Sequence, residues 1–427
     1  MKLIKKYKNE YNNIIYKLYE LNCGIKLIHL QNPASLDFDF AVISKAGSTY
    51  EDLEQVPHGS AHLLEHMFFR PNSTFKDDES IHQFEEGNRK KPAIYINGKT
   101  THKLMFLTGH ANEDGTDRTI ERIGSLIEFP KEIFKQYFDI EKNIVLAEKT
   151  RAPKTEKDKF LQLLKFLEKD IYPEFIYPIV GEIEDIKAIT LDDLEKYFKA
   201  RFVRENIIFS VQSSIELSKN IVEKLENLGE KFKLGDSKKS RRAQLVNYLD
   251  FGSFYDERMD GTAIFLTYFE KEDKGFDYQN DASNNLLQRL VRKVGEEILR
   301  DKLGMIYSLN ASFATDFCYD YIFKEIGFVI ENHKLETVLE ALHKFIYEDL
   351  EEFVNSQRGE NWLEHVLSTF IYPHTIQYNE ELAEEIVYSY LETDELYNAN
   401  EYRSIAKKIT KEDLLQKIKE LQQVFSY

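Results

Sequence analysis

The stretch Gly59-Ser60-Ala61-His62-Leu63-Leu64-Glu65-His66 sets two histidines one helical turn apart with a carboxylate between them. His62 and His66 stand at i and i+4, so a helix puts them on one face. Two imidazoles placed that way can hold one Zn²⁺, and Glu65 lies close enough to handle a metal-bound water. A helix with two ordinary surface or core histidines has the same spacing. The surrounding residues decide between the two readings.

The chain has 427 residues, 42% hydrophobic and 31% charged, the balance of a globular protein of two or three domains. Its formal net charge of -17 argues against nucleic acid as a partner, because a polyanion would be repelled. The basic run Lys238-Lys239-Ser240-Arg241-Arg242 follows Gly235-Asp236-Ser237 and reads as a solvated linker. Cys23 and Cys318 are too few for a disulfide framework or a thiolate zinc site. No apolar run approaches the length of a membrane span, and the basic N-terminus has no apolar segment behind it. A cytoplasmic location without membrane association is the expectation.

Working outward from the motif, Ile25–Leu30 and Phe38–Ser44 read as strands and a helix begins near Ser60. Ala93–Ile96 and Leu104–Thr108 read as strands, residues 120–127 as helix, and Lys131–Lys149 has clear helical spacing. A further helix follows Asp192-Asp193, then a strand over Ile207–Val211. Residues 230–250 read as a connector. Beyond it Ala263–Phe269, Ile306–Phe313 and Ile326–Ile330 read as strands, with a helix over 284–300 and helices to the end. The pattern predicts an α+β fold of two tandem, similar domains, each a mostly antiparallel sheet packed with helices. The expected boundaries are 1–229, a linker at 230–250, and 251–427.

A catalytic zinc takes three protein ligands and keeps one position open. His58 cannot be the third on the same helix, since Cα atoms eight residues apart are separated by ~12 Å while each Zn–N bond is ~2 Å. The helix at 131–149 offers Glu141 and Glu148, seven residues apart and therefore on one face. One could ligate zinc and the other support it by hydrogen bonding. Glutamates at this spacing are also common on solvated helices.

In combination these segments resemble the pitrilysin/insulin-degrading-enzyme family of inverted zinc peptidases, closest in size to its short two-domain members. The family opens with an Ala-Gly-Ser turn followed by Glu, here Ala46-Gly47-Ser48-Thr49-Tyr50-Glu51. Its Gly-x-Ala-His-x-Leu-Glu-His-Met motif matches Gly59 through Met67. The resemblance implies Zn²⁺ held by His62, His66 and Glu148, with Glu141 supporting and Glu65 as the general base. It also implies an Arg and Tyr at i and i+7 in the second domain, matched by Arg300 and Tyr307 around Gly304. Their implied roles are hydrogen bonding to the substrate backbone and, for Tyr307, to the oxyanion. An ordinary helix-to-strand junction would look similar.

Two departures from the family pattern stand out. The stretch from His66 to Glu148 is longer than the norm, with the excess expected as a loop around His110–Gly115. The family's Asn-Ala on the substrate-pairing strand is expected at Pro92-Ala93, where proline would remove an anchoring contact.

The resemblance implies a zinc metalloendopeptidase acting on short or unfolded peptides, or on a dedicated precursor, with substrate adding as a strand beside 93–96. A homodimer sharing two sites is expected, a heterodimer with a related subunit being the alternative. The rival class is a non-catalytic partner subunit of the same fold. A nucleotide-binding loop at Ala93–Thr100 resembles a Walker A sequence only loosely, because its middle is β-prone and its first Gly is Ala.

Overall fold

The computed structural model describes residues 1–10, 13–151, 178–236, 248–256, 261–271, 277–316, 321–331, 334–371, 386–391 and 395–424. These divide into two compact units. Unit 1 holds the described residues up to 236, and unit 2 those from 248 onward.

In unit 1, strands β1 (Lys2–Lys8), β2 (Ile15–Glu20), β3 (Lys26–Gln31), β4 (Asp37–Ser44), β5 (Tyr95–Thr100), β6 (Met105–Asn112) and β7 (Ile207–Ser213) form one sheet. Their order is β1-β2-β3-β7-β4-β6-β5. Every described pairing is antiparallel except β3 with β7. Central β4 and β7 are buried almost throughout, as their apolar runs require. Lysine-rich β1 is mostly exposed at one edge, where charge discourages further pairing.

The helices of unit 1 include α1 (Glu51–Glu54), α2 (Ser60–Phe68), α3 (Asp78–Glu85), α4 (Thr116–Leu126), α5 (Lys131–Lys149), α6 (Ile183–Ala188), α7 (Leu191–Arg201) and α8 (Lys219–Glu230). Helix α2 packs against α5, α7 and the edge strand β5. Its Leu63, Leu64, Met67 and Phe68 are buried in a core with Phe40, Val42, Phe134, Val145, Leu194 and Phe209. That burial turns the other face of the helix, with His62 and His66, toward α5.

Unit 2 carries strands β8 (Tyr248–Asp256), β9 (Gly261–Lys271), β10 (Ile306–Asp316) and β11 (Tyr321–Glu331), antiparallel in the order β10-β11-β9-β8. Helix α9 (Tyr278–Gly295) packs on β10 through a core that includes Leu286, Leu287, Leu290, Val291 and Leu309. The chain therefore has the α+β architecture with mostly antiparallel sheets. Among the described residues, no helix is long and apolar enough to cross a membrane.

Several local expectations are corrected. The strand expected at 93–96 lies at Tyr95–Thr100, because its register with β6 runs from Tyr95↔His110 to Thr100↔Met105. This excludes a phosphate-cradling loop there. The loop expected around His110–Gly115 is strand as far as Asn112, and only Glu113–Gly115 form a turn. Strand β8 begins at Tyr248, inside the stretch expected as connector, and β1 and β2 were not anticipated. The basic run at 238–242 and Cys318 lie outside the described residues.

Candidate metal centre

The i, i+4 spacing on α2 brings the rings of His62 and His66 to 4.7 Å between centroids, edge to face. Helix α5 crosses beside them. Ligand atoms of His62, His66 and Glu148 all lie within 4.8 Å of one another. His66 Nε2 is 3.7 Å from Glu148 Oε2, close to the separation of about 3.4 Å between two ligands on a tetrahedral zinc.

The second glutamate of the pair does different work. Glu141 is buried, and its Oε2 accepts from His66 Nδ1 at 3.0 Å. Arg70, one turn beyond His66, bonds the other oxygen of Glu141 through Nε and Nη2. With Nδ1 engaged, His66 keeps Nε2 for the cluster, the arrangement by which a carboxylate orients a metal-ligating histidine. Burial opposes an ionised Glu141, but the bonds from His66 and Arg70 outweigh it and hold its carboxyl below the usual range.

The donor set fits zinc in number and chemistry, with two imidazoles, one carboxylate and no fourth protein ligand among the described residues. Burial, and then the charge of His66, lowers His62 to about 4, so it is neutral, which is the ligating form. His62 Nδ1 is buried without a hydrogen-bond partner among the described residues. Burial alone would lower His66, but the Glu141 bond and the charges of Glu148, Glu141 and Glu65 together raise it. Those acidic neighbours favour a cation at the same place.

Glu65 faces the edge strand. Its Oε2 accepts from Thr100 Oγ1 at 2.6 Å, and the carboxylate is largely buried. Burial raises Glu65, the charge of Glu148 adds to this, and the Thr100 bond and His66 oppose it. On β5, a Cβ at position 98 would stand 2.8 Å from Glu65 Oε1 and 2.7 Å from the Phe69 ring. Asn97-Gly98 therefore lies in the strand beside the carboxylate, whereas Pro92-Ala93 precedes that strand. Pro92-Ala93, where the family's Asn-Ala pair was expected, thus lies ahead of the edge strand, and the proline does not interrupt it.

Arg300 and Tyr307 belong to unit 2. Arg300 lies in a π-helical turn (Glu296–Lys302) that continues α9, and its Nε donates to Asp301 Oδ1 at 2.8 Å. Tyr307, near the start of β10, is 89% exposed and near enough to Arg300 to act on it electrostatically. Gly304 between them has φ +60°, which lets the chain turn from helix to strand.

Sequence reasoning gave no role to Thr100, Arg70, Gly98 or Glu51. Arg70, at i+4 from His66, had a readable signal. Thr100 had none, because its contact depends on how β5 packs over α2.

Residues 188–356 match the family described as "Peptidase M16 inactive domain". Arg300 and Tyr307 fall within that match, and His62, Glu65, His66 and Glu148 fall outside it. A Bacillus subtilis protein named as the uncharacterized zinc protease YmxG is 25% identical over 201 residues, 47% of this chain and 46% of that protein. The match thus spans less than half the length of this curated relative, as it does for the Helicobacter pylori zinc protease PqqE at 42%. In fold, the chain resembles a peptidase M16 inactive domain from Pseudomonas fluorescens, with TM-score 0.70, 16% identity and 93% of each chain covered. It also resembles pitrilysin, with TM-score 0.67, 14% identity, and 97% of this chain but 46% of that one covered.

Proposed function

The chain belongs to the M16, or pitrilysin, family of peptidases, and from that premise we propose that it is a zinc-dependent metalloendopeptidase cleaving short or unfolded peptides. The observation that carries this reading is the convergence of His62, His66 and Glu148 with Glu65 on the same turn of helix. Zinc, when bound, supplies Lewis acidity, polarising the scissile carbonyl and acidifying water. Glu65 takes a proton from the attacking water and returns it to the leaving amine. Burial raises this carboxyl from its ordinary value, the direction that lets it hold the proton it has taken before passing it on.

Among the described residues β5 is the edge of its sheet, with β6 on one side. A peptide adding there would bind through its backbone, with Asn97 exposed beside it and little demand on its side chains. Tyr307 would donate to the oxyanion and Arg300 to the substrate backbone. A homodimer in which each copy completes the other's site accounts for one chain carrying both sets, a heterodimer being the alternative. General peptide turnover and maturation of a dedicated precursor both fit. The proposed location is the cytoplasm, since two cysteines make no disulfide framework that needs an oxidising compartment.

The inactive-domain description favours a second reading, a non-catalytic subunit. That description attaches to residues 188–356, which exclude the ligand cluster. Zinc analysis with quenched-peptide hydrolysis separates the readings. The wild type should hold about one zinc per chain and cleave, while Glu65→Gln should keep its zinc and lose ~10²–10⁴-fold in rate. A zinc-loaded wild type that cleaves no member of a peptide library would establish the non-catalytic reading. A chain that takes up no zinc and cleaves no peptide would remove the peptidase reading and leave the non-catalytic one.

A further inference from the structure

Helix α2 begins without a side-chain cap. Its N-cap is Gly59, at φ +89°, and a Cβ there would stand 2.4 Å from the carbonyl oxygen of Val180. The converse holds at Gly181, at φ +82°, where a Cβ would stand 2.4 Å from the His58 carbonyl oxygen. The close passage of residues 180–181 therefore requires glycine at the helix start, and glycine has no side-chain oxygen to offer the amides of the first turn.

Glu51, at the start of α1, supplies the missing acceptor. Its Oε1 accepts from the Ala61 amide at 2.8 Å and its Oε2 from the Gly59 amide at 3.2 Å. His58 Nδ1 lies 3.3 Å from the same Oε2, and His58 Nε2 lies 3.5 Å from Asp52 Oδ1. The Glu51 carboxylate is 0% exposed.

The neighbouring core does not duplicate this contact. Leu63, Leu64, Met67 and Phe68 hold the body of the helix, but in the first turn Ala61 has only a methyl group to pack. His62 is the next residue, so any slip or rotation of that turn moves its imidazole directly. A buried carboxylate is also an expensive cap, since burial pushes Glu51 up to about 7. An exposed Ser or Asp at the N-cap would satisfy the amides at less cost.

We propose that Glu51 is a positioning residue for the metal centre. By gripping the Gly59 and Ala61 amides it holds the first turn of α2 where His62 stays in register with His66 and Glu148. The inference rests on the zinc reading above and adds to it a residue outside the two-histidine motif that touches none of the three ligand side chains.

The test is zinc affinity of the full chain, measured by competition with a chromophoric chelator and set beside the melting temperature of the metal-free protein. Glu51→Gln keeps the size but puts an NH₂ where one amide needs an acceptor. It should weaken zinc binding ~10–100-fold, as loss of a ligand-supporting group does. Glu51→Asp, too short to reach both amides, should weaken it by a smaller factor, and it carries the test if the Gln variant fails to fold. Leu225→Ala, a core truncation on α8, should lower the melting temperature and bind zinc as the wild type does. The inference is overturned if both Glu51 variants bind zinc like the wild type, or lose affinity only in step with melting temperature as Leu225→Ala does. A wild type that takes up no zinc is a distinct result, and removes the metal centre itself.

Discussion

The ligand cluster of unit 1 and the Arg300–Tyr307 pair of unit 2 occupy opposite surroundings. Around the cluster, Glu65 and Glu141 are buried and bonded by Thr100, His66 and Arg70, all distant in sequence. In unit 2, Tyr307 stands almost fully in solvent, and Arg300 is paired with Asp301 and Glu296 on its own turn. Groups that share a metal must be held to a fraction of an ångström before it arrives, which needs buried supports. Groups that meet a substrate from solvent can remain exposed until it binds.

The sharpest way to break this comparison is Tyr307→Phe. An exposed hydroxyl should contribute little to folding, so the melting temperature should not change. Peptide cleavage should fall by ~10²–10³-fold if the hydroxyl meets the oxyanion. Mixing these chains with Glu65→Gln chains should restore activity through hybrid dimers, and a mixture as inactive as its parents would show that sites are not shared between copies.

Glu141→Gln probes the other side. It should weaken zinc binding by ~10–100-fold through a misoriented His66, read by chelator competition. Affinity equal to wild type would mean that the His66–Glu141 bond does not organise the site.

The smallest effect expected is on acid stability. Burial, and then the charge of Lys17, lowers His29 in the sheet of unit 1 to about 3. The unfolded chain binds a proton near pH 6.5 that the folded chain refuses. The stability of unit 1 from this group is thus complete above about pH 6.5 and declines as pH falls toward 3. Urea unfolding at pH 7, 6 and 5 should show the decline, and His29→Gln should flatten it. An unchanged slope in that variant would assign the acid sensitivity to other groups.

The parts of the site legible in the sequence are those set by helix geometry. The face shared by His62 and His66, and the one shared by Glu141 and Glu148, follow from spacings of four and seven in any helix. The bounds of α5, Lys131–Lys149, were readable for the same reason. The edge strand was harder. Ala93–Ile96 has a β-rich composition, but pairing with β6 places the strand over Tyr95–Thr100 and brings Asn97-Gly98 beside Glu65. Strand β1 was missed because its lysines hide any apolar alternation, as suits an exposed edge.

By itself the sequence determined which side chains share a helical face, because that depends only on residues within two turns. Tertiary structure alone decided which glutamate meets the His66 Nδ1 from 75 positions away, and that Thr100 restrains Glu65 across 35. It also decided that a carboxylate from α1 starts the helix whose glycine cannot cap itself. Such contacts arise from packing separate elements onto one core, and no local periodicity encodes the distance between two elements once they have packed.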